Sequence, residues 1–176
     1  MVASSIIILL AGVCFTGAGE EKHARAIDVK IIKYDGLKEA VRTNRGKVVL
    51  VCFWAEWNVP SIVNLSRLVA LQQKHGDKGL ETITVEVGVR ATDKTPQQQK
   101  EWILNRLTRM KSNVPNFILD EQPDFIVERL GTFAPYCCAF VFNRQGKWVR
   151  FSAGDSESFV DPMAIERLVA KFLQEK

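Results

Sequence analysis

The order of apolar and polar positions divides the chain into short apolar runs and segments with helical periodicity. The clearest run is Val48–Trp54, an unbroken apolar stretch of the kind found in strands that are buried on both faces. Behind it, apolar residues recur at the spacing of one helix face, at Ile62, Leu65, Leu68 and Val69. The pattern therefore predicts a central strand, a short turn, and a helix over residues 60–75 that stops at Gly76.

The other apolar segments predict an ordered alternation of strands and helices. Strands are predicted over residues 29–34, 82–87 and 114–119, followed by a hairpin over 139–143 and 148–151. Helices are predicted over 37–43 after an Asp35-Gly36 turn, from Thr95-Pro96, over Pro123–Leu130, and from Asp161-Pro162. In the last helix, the side chains predicted to face the core are those of Met163, Ile165, Leu168, Val169, Phe172 and Leu173. Strands joined by helices pair in parallel and a hairpin adds antiparallel strands, so the pattern predicts an α/β domain with a mixed central sheet flanked by helices.

The first 26 residues differ in character from the rest. Residues 1–19 carry no charged side chain and contain an apolar core over 6–15, which is the pattern of an export signal that lacks the usual basic start. Cleavage is predicted after Ala18 or Ala26, and an uncleaved membrane anchor is the alternative. We therefore predict a signal peptide or anchor over 1–26, one domain over 27–176, and a periplasmic or secreted protein, membrane-bound only if the N-terminal segment is retained.

Composition narrows the choice of partner. The chain has 176 residues and a net charge of +4, with Lys and Arg scattered among Asp and Glu rather than gathered in a basic block. This argues against nucleic-acid binding. The length is sufficient for one domain with a real core.

A motif with chemical meaning follows the central strand. Phe53-Trp54-Ala55-Glu56-Trp57 is followed by Asn58-Val59-Pro60-Ser61. The segment resembles the active-site region of extracytoplasmic thiol-disulfide oxidoreductases of the TlpA/ResA type, in which Phe-Trp-Ala-x-Trp precedes Cys-x-Pro-Cys. The resemblance implies a thioredoxin fold with the strand–helix insertion of that group, over nearly all of the mature chain.

The resemblance also implies that the redox chemistry has been lost. Asn58 and Ser61 stand where the two cysteines belong, Asn64 stands where the family often has an acid–base Glu, and Cys137 stands at the cis-proline position. Dithiol exchange needs a thiolate at the helix N-terminus and a second thiol to resolve the mixed disulfide. Asn58 cannot act as a nucleophile, and it is a good N-cap residue instead.

The leading hypothesis is therefore a non-catalytic module that binds protein or extended peptide. The family's groove takes extended chain partly by backbone pairing. In this sequence Trp57, Val59, Pro60 and Tyr136 would line it. No cofactor is implied. Trp54, inside the strand, is predicted to pack in the core, whereas packing and binding are about equally expected for Trp57.

The alternative is an enzyme that uses Cys137 as a lone nucleophile next to the helix N-terminus. Cys138 would then face the opposite way, because neighbouring residues of an extended segment alternate between faces. Cys52 is predicted to be a small core residue. A metal site at the two adjacent cysteines is disfavoured, because His23 and His75 are both remote in sequence.

Overall fold

The computed structural model describes residues 26–87, 93–130, 138–152 and 160–175. Strands alternate with helices in the predicted order and end in a hairpin and a helix. The strands are β1 (Val29–Ile32), β2 (Val48–Trp54), β3 (Leu80–Glu86), β4 (Asn116–Leu119), β5 (Cys138–Phe142) and β6 (Trp148–Ser152). The helices are α1 (Tyr34–Arg42), α2 (Val59–His75), α3 (Pro96–Arg109), α4 (Pro123–Leu130) and α5 (Pro162–Gln174). A short 3-10 turn, Gly76–Lys78, follows α2.

The strands form one six-stranded sheet in the order β1-β4-β3-β2-β5-β6. β1, β4, β3 and β2 pair in parallel with one another in this order. β5 pairs antiparallel with β2, and β6 pairs antiparallel with β5. The mixed sheet predicted from the sequence is thus confirmed. β4 lies between β1 and β3. Without this strand, the order of the sheet would be β1-β3-β2-β5-β6.

Every residue of β2 is buried, because both faces of the sheet are covered. On one face Leu50, Cys52 and Trp54 pack with residues of α2, α3 and α5. On the other face Val51 and Phe53 pack with residues of α1 and α4. Successive side chains of a strand point to opposite faces, and this is why a continuous apolar run was needed here.

Two local expectations were wrong. Residues 35 and 36 do not form a turn but belong to the first turn of α1, which begins at Tyr34. The Tyr34 backbone N–H donates to the Glu121 carboxylate at 3.0 Å, so a residue distant in sequence stabilises the helix start. Met163 does not face inward, since its side chain is 59% exposed. It lies two residues before buried Ile165, about 200° around the helix.

In the part of the chain that the structure describes, no helix has both the length and the apolar character needed to cross a membrane.

Candidate functional site

The turn between β2 and α2 is closed by Asn58. This residue has an extended backbone (φ −98°, ψ 96°), and its side-chain oxygen accepts the Ser61 backbone N–H at 2.9 Å. Its carbonyl accepts the Ile62 N–H at 3.2 Å, and Pro60 lies in the first turn, where a missing N–H costs nothing. The predicted placement of Asn58 as the N-cap of the helix is confirmed.

The Ser61 side chain is buried, with only 2% of its surface exposed. Its hydroxyl accepts the Ala55 N–H at 3.2 Å. The same oxygen lies 2.7 Å from the Asn58 carbonyl oxygen and 3.1 Å from that of Ala55, and it donates to these acceptors. The hydroxyl therefore links the end of β2 to the start of α2 and is engaged entirely with backbone.

Asn64 is also buried, at 2% exposure. Its side-chain amide lies 3.4 Å from the Val160 carbonyl oxygen, a long hydrogen bond to the residue two positions before α5. The amide thus connects α2 to a segment that is distant in sequence. Within residues 54–64 the sequence has one charged side chain, Glu56, so no Lys, Arg or His from this segment can act as a base for Ser61.

Apolar side chains are exposed beside these buried polar ones. Trp57 is 45% exposed and Val59 is 67% exposed, whereas Trp54 is buried at 1%. Pro60 is half-buried. The sequence had not singled out Val63, which is 42% exposed and follows Val59 by one helical turn. Its exposure could have been predicted from the sequence, because Val63 is not among the apolar residues that recur on one face of the helix.

A buried carboxyl that sequence reasoning missed lies under this turn. Glu86 is the last residue of β3, pairs in register with Trp54, and is 0% exposed. One carboxylate oxygen lies 3.5 Å from the Glu56 backbone nitrogen, at the limit of a hydrogen bond. The sequence predicted a strand over residues 82–87 but gave no reason to single out Glu86, which is buried because helices cover both faces of the sheet.

The two remaining predicted site residues, Tyr136 and Cys137, lie outside the described residues. Their neighbour Cys138 is buried at 2% and packs in the cluster that contains Phe53. Cys52 is buried at 1% on the opposite face of the sheet. Within the described ranges no group of three or more His, Cys, Asp or Glu side chains is arranged to hold a metal ion.

Several solved structures resemble this chain over about three quarters of its length. A secreted disulfide oxidoreductase from Mycobacterium tuberculosis matches with a TM-score of 0.55 and 12% identity, over 74% of this chain and 85% of that one. The chain has the thioredoxin fold. A thiol:disulfide interchange protein from Chlorobium tepidum matches with a TM-score of 0.51 and 17% identity, over 75% and 83% of the two chains. The thioredoxin domain of a Bacteroides vulgatus thiol-disulfide oxidoreductase gives 0.52 and 21%, over 73% and 84%.

No protein-family model matches the sequence, and comparison with curated proteins gives no match either. The fold predicted from the sequence is therefore confirmed by structure alone. The central strand β2 is followed by α2, which Asn58 caps. The motif compared in the sequence analysis has a thiol at this helix start, where the helix N-terminus would lower its pKa.

Proposed function

We propose that this thioredoxin-fold protein is exported, has lost its redox dithiol, and binds protein or extended peptide without catalysis. One observation carries the proposal: the side chains of Asn58 and Ser61 both serve to close the start of α2. At the N-terminus of such a helix a thiol would be activated by the helix dipole. Here the same position is occupied by an amide oxygen and a buried hydroxyl that bond to backbone.

The surface beside the turn supports a binding role. Trp57, Val59 and Val63 are each more than two-fifths exposed, and they lie within two turns of one another along the chain. Exposed apolar and aromatic side chains grouped on a surface are typical of interaction sites, and Trp is among the residue types enriched in binding hot spots. We infer that Trp57 and Val59 contact the partner and that Pro60 shapes the edge of the contact surface.

Export is supported by two observations. The sequence opens with an uncharged apolar segment, and one solved protein of the same fold is described as secreted. Expression of the full chain in a bacterial host, followed by fractionation and intact mass measurement, tests this. We expect an extracytoplasmic product that begins at Gly19 or Ile27. A full-length product in the cytoplasmic fraction would count against export without bearing on the binding role.

Binding is tested with a permanently unfolded probe, reduced and carboxymethylated α-lactalbumin, titrated against the full chain. We expect W57A to weaken binding by about tenfold, because truncating a buried interfacial Trp commonly removes 1–2 kcal/mol or more. V127A is the control, since Val127 is exposed to a similar extent, at 43%, but lies on α4 and does not line either proposed site. Equal loss in both variants, or no loss in W57A, would show that the proposed surface does not bind the probe.

The absence of dithiol chemistry is tested separately by reduction of insulin with dithiothreitol. We expect no acceleration by the native chain above the uncatalysed rate. Turnover that persists in C137A would exclude both the non-catalytic proposal and the alternative in which Cys137 is the nucleophile.

A further inference from the structure

A cavity of about 300 Å³ lies on the face of the sheet that α2 does not cover. It is enclosed by α1, the end of α4, and the β5–β6 hairpin, with side chains of β2 at its base. None of its lining residues belongs to the Asn58–Ser61 turn. The volume is at the lower end of the range in which small-molecule sites are found, about 300–1,000 Å³.

The floor of the cavity is aromatic. The ring of Phe140 contacts the other three rings of this floor. Its centroid lies 5.7 Å from that of Phe53, 6.5 Å from that of Phe142 and 5.3 Å from that of Trp148. Phe140 is 7% exposed, whereas Trp148 is 57% exposed, so the ring surface extends from the core to the mouth. Such an array of ring faces and edges favours a planar or aromatic guest, which can stack or pack edge to face.

The charged groups that line the cavity are all basic. Lys38 and Arg129 are exposed, Arg150 is half-buried, and no described lining residue is Asp or Glu. Arg150 is paired in register with Phe140, which places it directly beside the aromatic floor. Lys38 lies 2.6 Å from the Asp35 carboxylate, but this pair is on the surface, with side chains 59% and 87% exposed. A pair of this kind is weak enough for Lys38 to turn towards a bound anion.

We propose that this cavity is a second binding site, specific for a small amphipathic carboxylate with an aromatic body. The rings of Phe140 and Trp148 receive the apolar part, and Arg150, Lys38 and Arg129 hold the carboxylate at the mouth. An arginine can bind a carboxylate through two parallel hydrogen bonds, which gives geometric selectivity as well as attraction. The site is separate from the peptide-binding surface proposed at Trp57, since neither Trp57 nor any residue of the Asn58–Ser61 turn lines the cavity.

The test uses two probes that differ in charge and little else, 2-naphthoate and 2-naphthalenemethanol, titrated by calorimetry into the full chain. We expect saturable binding of one naphthoate, with the neutral alcohol at least about tenfold weaker, because a charge-assisted bidentate contact is lost. Equal affinity for the two probes would overturn the proposal of an anion site, and absence of saturable naphthoate binding would overturn the site altogether.

Variants locate the site. K38M/R129M/R150M keeps the apolar stems but removes the three charges, and we expect naphthoate binding to fall to the level of the alcohol. The matched control R67M/R167M/K171M removes the same net charge from exposed residues that do not line the cavity, and it should bind as the native chain does.

If the first variant does not fold, K38M/R129M keeps both changes on exposed side chains and should still weaken naphthoate binding severalfold. Equal loss in the control variant would point to a general charge effect and refute the site.

The aromatic floor is tested in the same titration. W148A should weaken both probes, because it removes a ring from the mouth of the cavity, whereas W57A should leave them unchanged. The opposite pattern would place naphthoate at the Trp57 surface and exclude the cavity.

Discussion

The side-chain oxygen of Asn58 lies 2.9 Å from the backbone nitrogen of Ser61, across the first turn of α2. One of the otherwise unsatisfied N–H groups at the start of the helix is thereby paired. The contact is local, within three residues, so its strength depends on the Asn58 side chain and not on distant packing.

Asn58→Ala should lower the free energy of unfolding by about 1 kcal/mol, the usual cost of removing an N-cap side chain. Urea denaturation followed by far-UV circular dichroism measures the change. Asn58→Asp is the control, because a carboxylate accepts the same N–H and interacts favourably with the helix dipole. An unchanged midpoint in the Ala variant would show that the cap does not contribute to stability.

Ser61→Ala should destabilise the protein by about 1–3 kcal/mol, since it leaves the buried Ala55 N–H without its side-chain acceptor. Ser66→Ala is a matched control on the same helix. The Ser66 hydroxyl is exposed and lies 3.3 Å from the Ile62 carbonyl oxygen, so its loss should cost less than about 0.5 kcal/mol. Similar values for the two variants would contradict a structural role for the buried hydroxyl.

Stability should also depend on the protonation of His75. The side chain is 9% exposed, and burial lowers the pKa of His75 from its ordinary value of 6.5. The nearby charges of Lys78 and Lys74 act in the same direction, and Glu166 has a weaker opposing effect. Below pH 6.5 the unfolded chain therefore takes up a proton that the native state does not. The free energy of unfolding should fall as the pH is lowered through 6.5, and should stop falling from this cause below the lowered native pKa.

His75→Gln should remove this part of the pH dependence, as measured by urea denaturation at a series of pH values between 7.5 and about 5. His23→Gln provides the comparison, because the sequence contains two histidines and His23 precedes the predicted domain. An identical pH profile for the native chain and His75→Gln would show that His75 does not control stability in this range.

Alkylation of the folded protein with iodoacetamide, read by mass spectrometry, tests the alternative function. Cys52 and Cys138 are buried at 1% and 2%, so both should label only on unfolding. For Cys137 we also expect slow labelling at neutral pH, as the binding hypothesis requires. Fast labelling of Cys137, with a midpoint well below that of ordinary cysteine near pH 8.5, would instead make it the site of chemistry.

The sequence predicted elements well where the signal is local. The apolar run of β2 and the caps at Asn58, Thr95 and Asp161 all lie where they were expected. Thr95 even forms a reciprocal capping box with Gln98. In each case the residues that determine the structure are neighbours in the chain.

Three features were missed because residues distant in sequence determine them. The start of α1 depends on Glu121, which is 87 residues away from Tyr34. Glu86 was not recognised because its burial results from layers on both faces of the sheet, and not from the pattern of β3 itself. The cavity under α1 was not foreseen either, since its aromatic floor combines β2 with both strands of the hairpin. Local periodicity carries no information on such contacts.

The position of β4 between β1 and β3 has a consequence for the order of events during synthesis. β1 pairs with β4, so Val29 can pair with Asn116 only after residue 116 has been synthesised. β2 and β3, by contrast, are joined through α2 alone and can pair early. Contacts between residues far apart in sequence form late and slow folding. Of the strands that the structure describes, β1 is synthesised first but pairs late, and a chain released before residue 116 would lack the strand with which β1 pairs.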